Sequence, residues 1–418
     1  MSTRPESSHP GPYAGDGPDP HAAVPRPDGA AEAPARGQLL GLDGLRGLAA
    51  LYVVLFHCRL LALPGFPHDS GPRWLSWLMY GRLAVVFFLV LSGFSLAVSP
   101  ARAGWRTAGT GRFLRRRAWR ILPPYWAALA LSLAVGRFVV AASHHGPPDG
   151  RSVLVYGLVL QDMFTAPTPN GAFWSIGVEA ELYLAFPLLL LVRRRLGAVA
   201  MVTGVTLLVA VRGLSAGAAG PAEGMNWLTP DLAPVFAAGM AGAGIVVAPD
   251  RIRRLPWHWF AALAAAPVVL LVAVEGPVWT VGHFYWIDLA VAPAMTMIIA
   301  AVATGRPAPL VRLLTTRPAR GLGDISYSLY LIHLPVVMTV VRRVAPRFVA
   351  PGMPAFWFTV LLALPVSVLS AWLFARIFEL PFKRNRSWSS MRAAARARRT
   401  GPASERPRLG PGPGADAA

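Results

Sequence analysis

The chain is almost without cysteine: Cys58 stands alone among 418 residues. That excludes intrachain disulfides and cysteine-rich zinc sites, and leaves the redox compartment open. Charge is scarce too. Asp, Glu, Lys and Arg together make 14% of the chain, where a soluble domain carries nearer a quarter. Within that share acid is the scarcer sign, 20 residues against 40 basic ones, for a net charge of +20. Such a surplus suits nucleic acid, but its placement points elsewhere. It is nearly all arginine, set between apolar segments or in the C-terminal tail, as in the positive-inside pattern of membrane proteins. No nucleic-acid partner is expected. A cleavable leader is not expected either, because the first apolar run follows a polar stretch of about forty residues and no small-residue cleavage site comes after it.

What is abundant is apolar. Hydrophobic residues make 54% of the chain, gathered in runs of roughly 18 or more, the length that crosses a hydrocarbon core of about 30 Å. The pattern predicts an all-α fold, a polytopic integral membrane bundle of about ten transmembrane helices near 42–63, 75–99, 119–140, 173–192, 198–215, 228–247, 257–274, 279–303, 325–342 and 357–380. With residue 1 in the cytoplasm, the arginines at 102–117, 193–195, 251–254 and 306–320 fall inside. The outer loops are poor in basic residues apart from Arg73, Arg151, Arg342, Arg343 and Arg347. Both termini are then cytoplasmic. Residues 1–38 are expected to be a disordered tail, 39–382 the membrane domain, and 383–418 a basic disordered tail. The loop 141–172 holds His144, His145, Asp149 and a short apolar run, Val153 to Leu160, too brief to span and expected to be re-entrant or interfacial. No internal repeat of the transporter kind is visible. A composition heavy in Ala, Arg, Gly and Pro points to a GC-rich bacterium, and so to its inner membrane.

Ionisable side chains inside membrane spans are costly enough to be candidates for function. The first span carries Arg46 and His57, eleven residues apart. At roughly 100° and 1.5 Å per residue they share a face and differ in depth by about 16 Å. Asp43 is placed to pair with Arg46, while Gly44 and Gly47 allow a neighbouring backbone to come close. Cys58 lies about 100° around the helix from His57 and is read as packing. In the fourth span Ser175, Glu179 and Tyr183 form one stripe, with Trp174 beside it. Counting from the outer boundary sets Glu179 and His57 both roughly 10 Å deep. The ninth span adds Tyr330 and His333, for which catalysis and plain interhelical hydrogen bonding weigh equally. At the inner end of the third span, Arg117 and Arg120 are neighbours on a helix. Paired guanidinium groups there suit a phosphate-bearing ligand, with lipid headgroups as the plain alternative.

These residues, taken in order, resemble the acyltransferase 3 family of polytopic membrane O-acyltransferases over roughly residues 39–382. The resemblance is carried by Leu-Asp-Gly-Leu-Arg-Gly through Phe56-His57, Phe87-Phe88 with Leu-Ser-Gly-Phe at 91–94, and Arg117-Ala-Trp-Arg120 with Pro123 and Tyr125. It continues through Trp174-Ser175 with Glu179 and Tyr183, Ile-Ser-Tyr-Ser-Leu-Tyr-Leu-Ile-His at 325–333, and Glu379-Leu-Pro381. Val86 departs from it, since many members carry an acid in the second span. The resemblance implies transfer of an acyl group, an acetyl group in the first instance, from acyl-CoA to a hydroxyl of a glycan, glycolipid or secondary metabolite. His57, Glu179 and His333 would be catalytic. Arg46, Arg117 and Arg120 would hold acyl-CoA, and Ser92, Trp174, Tyr183 and Tyr330 would contact substrate. No bound cofactor or metal is expected. Acyl-CoA serves as co-substrate, and the partners are membrane lipid and the hydroxyl-bearing acceptor.

A transporter or flippase of a lipid-linked sugar or acyl group, forming no bond, also fits ten spans with buried polar groups. A regulatory scaffold with a degenerate site is a third reading. The acceptor, the acyl chain length, and direct transfer as against an acyl-histidine intermediate are not legible in the sequence.

Overall fold

A computed structural model describes residues 39, 41–68, 71–107, 109–140, 147–216, 230–385, 387–392 and 396. The described elements belong to one compact unit that begins at Leu39. The expected N-terminal tail, His144, His145 and most of the expected C-terminal tail lie outside the described residues.

Among the described residues every regular element is a helix: α1 (Leu42–Ala62), α2 (Gly81–Arg102), α3 (Thr110–Phe138), α4 (Gly150–Gly157), α5 (Trp174–Ala216), α6 (Ala233–Val247), α7 (Asp250–Arg253), α8 (Trp257–Gly282), α9 (Phe284–Ala303), α10 (Ala308–Leu314), α11 (Arg317–Thr339), α12 (Met353–Phe374) and α13 (Leu380–Arg384), with short tighter or wider turns between them. In a bilayer the backbone must satisfy its own hydrogen bonds, and a helix does so within one segment. Among the described residues eight helices are long and apolar enough to cross a membrane. One of them, α5, breaks at Gly197, whose φ of 94° belongs to the left-handed region, and so supplies two of the ten expected spans. The remaining span is α6, only 15 residues long. The protein is thus a multi-pass membrane protein of about the expected helix number.

Boundaries shift in physically sensible directions. The second span runs Arg73–Arg102 and opens with a 3₁₀ segment, Arg73–Tyr80, before the α-helix proper begins at Gly81. The third begins at Thr110 and runs 29 residues, since its arginine-rich first turns are helical although polar. Just past α13 the Trp119 indole donates to the Asn385 carbonyl at 2.8 Å, and Trp388 packs edge-on against it at 5.2 Å. The run after Gly150 is the eight-residue α4, capped by Asp149, which accepts from the Ser152 amide at 2.8 Å. That donation holds the Asp149 carboxyl below the usual carboxylate range.

Two close helix pairs fix the bundle. Gly47 and Gly323 face each other where α1 meets α11, and a Cβ on Gly323 would collide with the Asp43 carbonyl. Gly93 and Gly239 do the same for α2 and α6, where added carbons would strike the carbonyls of Phe236 and Val90. Small residues let membrane helices approach until their backbones touch. Around these pairs the buried side chains form two clusters. One joins α1, α3, α11 and α12; the other joins α2, α5, α6 and α9. The polar residues described next lie along the seam between them.

Candidate active site

Arg46 sits at the end of the bundle where α1, α3 and α11 begin. Its guanidinium donates to Asp43 Oδ1 at 2.7 Å, one turn back on α1, and to Ser95 Oγ of α2 at 2.9 Å. Both bonds are charge-assisted or use an otherwise unsatisfied hydroxyl, so the side chain is held toward the seam. A cavity of about 260 Å³ opens there, bordered by Arg46, Arg117, Arg120 and Lys383. Against these cations the lining sets the carboxylates of Asp43, Glu179 and Glu379, and Lys383 Nζ lies 3.2 Å from Asp324, so the cavity keeps a surplus of positive charge carried mainly by Arg117 and Arg120. Glu379 is the buried acid of that end. Its Oε2 accepts from the Ser328 hydroxyl at 2.5 Å.

Further in, the cavity is lined by Ser92, Glu179 and Tyr183, which form a closed triangle. The Tyr183 hydroxyl donates to Glu179 one turn away on α5, and Ser92 Oγ lies 3.2 Å from each. On α11 the lining runs as far as Tyr330 and on α5 it begins at Ser175, with Val85, Phe88 and Ile176 also lining the cavity. There the Tyr330 hydroxyl donates to the Ala172 carbonyl at 2.9 Å and meets Ser175 Oγ at 2.6 Å, while its ring is packed edge-on by Phe88. These three residues make a partition.

Behind the partition lie the histidines. His333 is fully buried, one turn beyond Tyr330 on α11, with its Nε2 3.1 Å from Nδ1 of His57 on α1. Hydrogen-bond partners assign the protons. His333 Nδ1 lies 2.8 Å from the Tyr330 carbonyl and 3.1 Å from that of Leu329. Carbonyls only accept, so Nδ1 carries the hydrogen and Nε2 presents a lone pair. His57 Nδ1 then donates, toward His333 Nε2 and toward the Val53 carbonyl at 2.9 Å. In the neutral pair, the lone pair of His57 is left on Nε2.

The structure therefore brings Arg46, Arg117, Arg120, Ser92, Glu179, Tyr183 and Tyr330 to one cavity and pairs His57 with His333 beyond its closed end. It does not set Glu179 beside His57, as the depth count expects. Glu179 is bonded to Ser92, a turn from the Ser95 that holds Arg46. The reason is that α5 starts inside the bundle. Asn170, Ala172 and Phe173, just before it, are buried, and Asn170 Nδ2 donates to the Leu331 carbonyl at 3.0 Å. That carbonyl needs an outside donor because Pro335, four residues on, has no N–H to give it. Trp174 also stands apart from the cavity, with the Arg82 guanidinium 5.4 Å from its ring centre.

Several site residues escape sequence reading. Ser95, Tyr327, Glu379 and Lys383 border the cavity; of these, Tyr327 and Glu379 lie in recognisable motifs, yet neither is singled out by its spacing. Arg82 donates to Asp288 at 2.6 Å and to Asp231 at 2.9 Å, tying α2 to α9 and to the turn before α6. Partners 206 and 149 positions away leave no local signal. Among the described residues no group of three or more His, Cys, Asp or Glu side chains is placed to hold a metal ion.

Comparison with known proteins places the chain in a family. Residues 39–376 match the family model described as an acyltransferase domain, the acyltransferase 3 family. A Bacillus subtilis protein provisionally named peptidoglycan O-acetyltransferase YrhL is 26% identical over 360 residues, which is 79% of this chain and 52% of that protein. A Rhizobium radiobacter protein named Protein 2 in picA locus is 37% identical over 94 residues, 22% of this chain and 43% of the relative. The chain spans about half the length of the curated relatives it matches. No solved structure matches.

Proposed function

Given that the chain belongs to the acyltransferase 3 family, we propose that it is an O-acyltransferase of a bacterial inner membrane, moving an acyl group from acyl-CoA to an acceptor hydroxyl. The observation that carries this reading is the alignment of a cation-mouthed cavity with a histidine pair just past its closed end. The arginine distribution favours a cytoplasmic mouth and cytoplasmic termini. The name of the Bacillus relative favours a glycan as acceptor.

In this reading Arg46, Arg117, Arg120 and Lys383 hold the phosphates of CoA. Arginine suits them because its planar fork matches phosphate oxygens and stays charged when partly buried. The pantetheine arm runs along Ser92, Glu179 and Tyr183 toward Tyr330. From Arg46 to His57 the helix rises about 16 Å, comparable to the reach of that arm. Tyr330 and Ser175 part to admit the thioester.

His57 Nε2 takes the proton of the acceptor hydroxyl as its oxygen attacks the thioester carbonyl. The tetrahedral adduct collapses, the C–S bond breaks, and the departing sulfur receives that same proton from His57. The products are the ester and CoA thiol, with His57 neutral again. While His57 holds the proton, its Nδ1–H points at the lone pair of His333, which keeps the ring oriented and shares the charge. His333 is thus the positioning residue for the base, a part played by a carboxylate in many triads. General-base catalysis of this kind contributes about 10² to 10⁴ in rate.

The test uses the full chain in proteoliposomes with acyl-labelled CoA and an acceptor glycan. Label appearing covalently on the acceptor, with CoA thiol released in equal amount, supports transfer and excludes pure transport. A His57→Ala protein that folds and still transfers at the wild-type rate would remove His57 from the mechanism.

A further inference from the structure

A second cavity of about 380 Å³ lies between α3, the end of α4 and the first half of α5. Its walls are apolar, with Leu122, Trp126, Leu158, Val159, Ala180 and Leu184 among them. Only Arg117, Glu179 and Tyr183 break that character, and all three also border the polar cavity, as do Ile121 and Ile176. The two cavities are therefore neighbours along the Ile121–Ile176 and Glu179–Tyr183 edge. On the far side, Leu184, Leu158 and Trp126 are 68%, 60% and 47% exposed, in a face that a membrane-spanning bundle turns to lipid. The groove is built, not a chance gap. Trp126 Nε1 donates to the Gly157 carbonyl at 2.9 Å and the Tyr125 hydroxyl to the Tyr156 carbonyl at 2.8 Å, fastening α4 across α3. Val159 ends α4 at a φ of 59°, a strained setting for a β-branched residue that persists only where the surroundings impose it.

We propose that this groove binds the hydrocarbon chain of the donor, so that the enzyme takes medium- and long-chain acyl-CoA as well as short. The inference rests on the acyl-CoA reading above. An ordinary bilayer lipid in such a crevice keeps its headgroup at the membrane surface. Here the polar residues meet the groove in the interior, at the wall of the donor cavity, so the occupant has its polar part in that cavity and its apolar part leaving sideways. A lipid-linked acceptor fits less well, because its polar part would have to share the donor cavity, at Arg117, Glu179 and Tyr183, with the pantetheine arm. A thioester near Ser175 and Ile176 with its chain turned out past Ile121 toward Leu158 and Leu184 meets both conditions.

Equilibrium binding tests this without a known acceptor. Labelled acetyl-CoA bound to the full chain in detergent or nanodiscs is displaced by unlabelled acetyl-, butyryl- and octanoyl-CoA. Each methylene buried from water strengthens binding by up to about fourfold, so octanoyl-CoA is expected to bind at least about tenfold tighter than acetyl-CoA. Ala180→Phe, which fills the groove, should erase that advantage and leave acetyl-CoA affinity within about twofold. Where that variant does not fold, Ala118→Leu on the facing helix makes the same comparison. Octanoyl-CoA binding no tighter than acetyl-CoA in the wild type overturns the proposal and leaves the donor reading standing. So does a phospholipid that copurifies with the wild type and is lost in Ala180→Phe while octanoyl-CoA affinity is unchanged. Failure of every acyl-CoA to bind overturns both.

Discussion

His57 and His333, 276 positions apart in the chain, meet nitrogen to nitrogen at 3.1 Å, and the backbone carbonyls of Tyr330 and Leu329 fix the direction in which that contact donates. In the proposed mechanism the base would thereby be oriented by a neutral imidazole in place of a carboxylate. A neutral partner disperses less charge, so its removal should cost less than removal of the base itself.

His333→Ala is accordingly expected to lower kcat about 10- to 100-fold, against about 10² to 10⁴ for His57→Ala, with little change in donor KM. His333→Gln, whose amide oxygen can accept from His57 Nδ1, should recover part of the loss. Equal damage from Ala and Gln, or a change confined to KM, would argue for packing alone.

Arg120 borders the cavity, and the proposed mechanism assigns it to the donor alone. Arg120→Ala should raise the donor KM by about tenfold or more, the worth of a charge-assisted bond to phosphate, and leave the acceptor KM nearly unchanged. Steady-state kinetics with each substrate varied in turn makes the comparison. Matching rises in both constants would assign Arg120 a structural role.

Tyr330→Phe removes the hydroxyl that closes the partition, and with it the bonds to Ala172 and Ser175. At about 0.5–1.5 kcal/mol for each hydrogen bond, the closed state loses enough to open often. Water should then reach the thioester, and CoA release without acceptor should rise severalfold. A wild-type rate of idle hydrolysis would mean that the partition does not guard the donor.

Arg82→Ala leaves Asp288, 1% exposed, beside a vacated cation site. Breaking a buried pair from one side typically costs about 3–5 kcal/mol. The variant should lose most of its folded yield, and Arg82→Met with Asp288→Asn should restore much of it, as read by fluorescence-detected gel filtration. Normal yield from Arg82→Ala would show that the pair is solvated.

Much of this was readable from residues alone because it is local. Asp43 pairs with Arg46 three residues away, Gly47 admits a neighbouring backbone, Cys58 packs in the core, and Ser175, Glu179 and Tyr183 fall on one stripe, all by helical geometry. What failed was depth. Counting residues from an assumed surface cannot show that the chain before α5 is drawn into the bundle by Asn170, and so it misplaces Glu179 by a turn or more. Lateral contacts were equally hidden. Nothing near His57 announces His333, and nothing near Trp174 announces the Arg82 cluster that engages it.

The hydrogen bond between Tyr330 and Ser175 carries one more implication. A hydrated cavity that enters a membrane from one face shortens the distance over which ions are excluded. If a second opening met it, the protein would conduct. In the proposed reading, a plug of one tyrosine, one serine and one phenylalanine would let chemistry approach the midplane while the proton gradient across the membrane stays insulated.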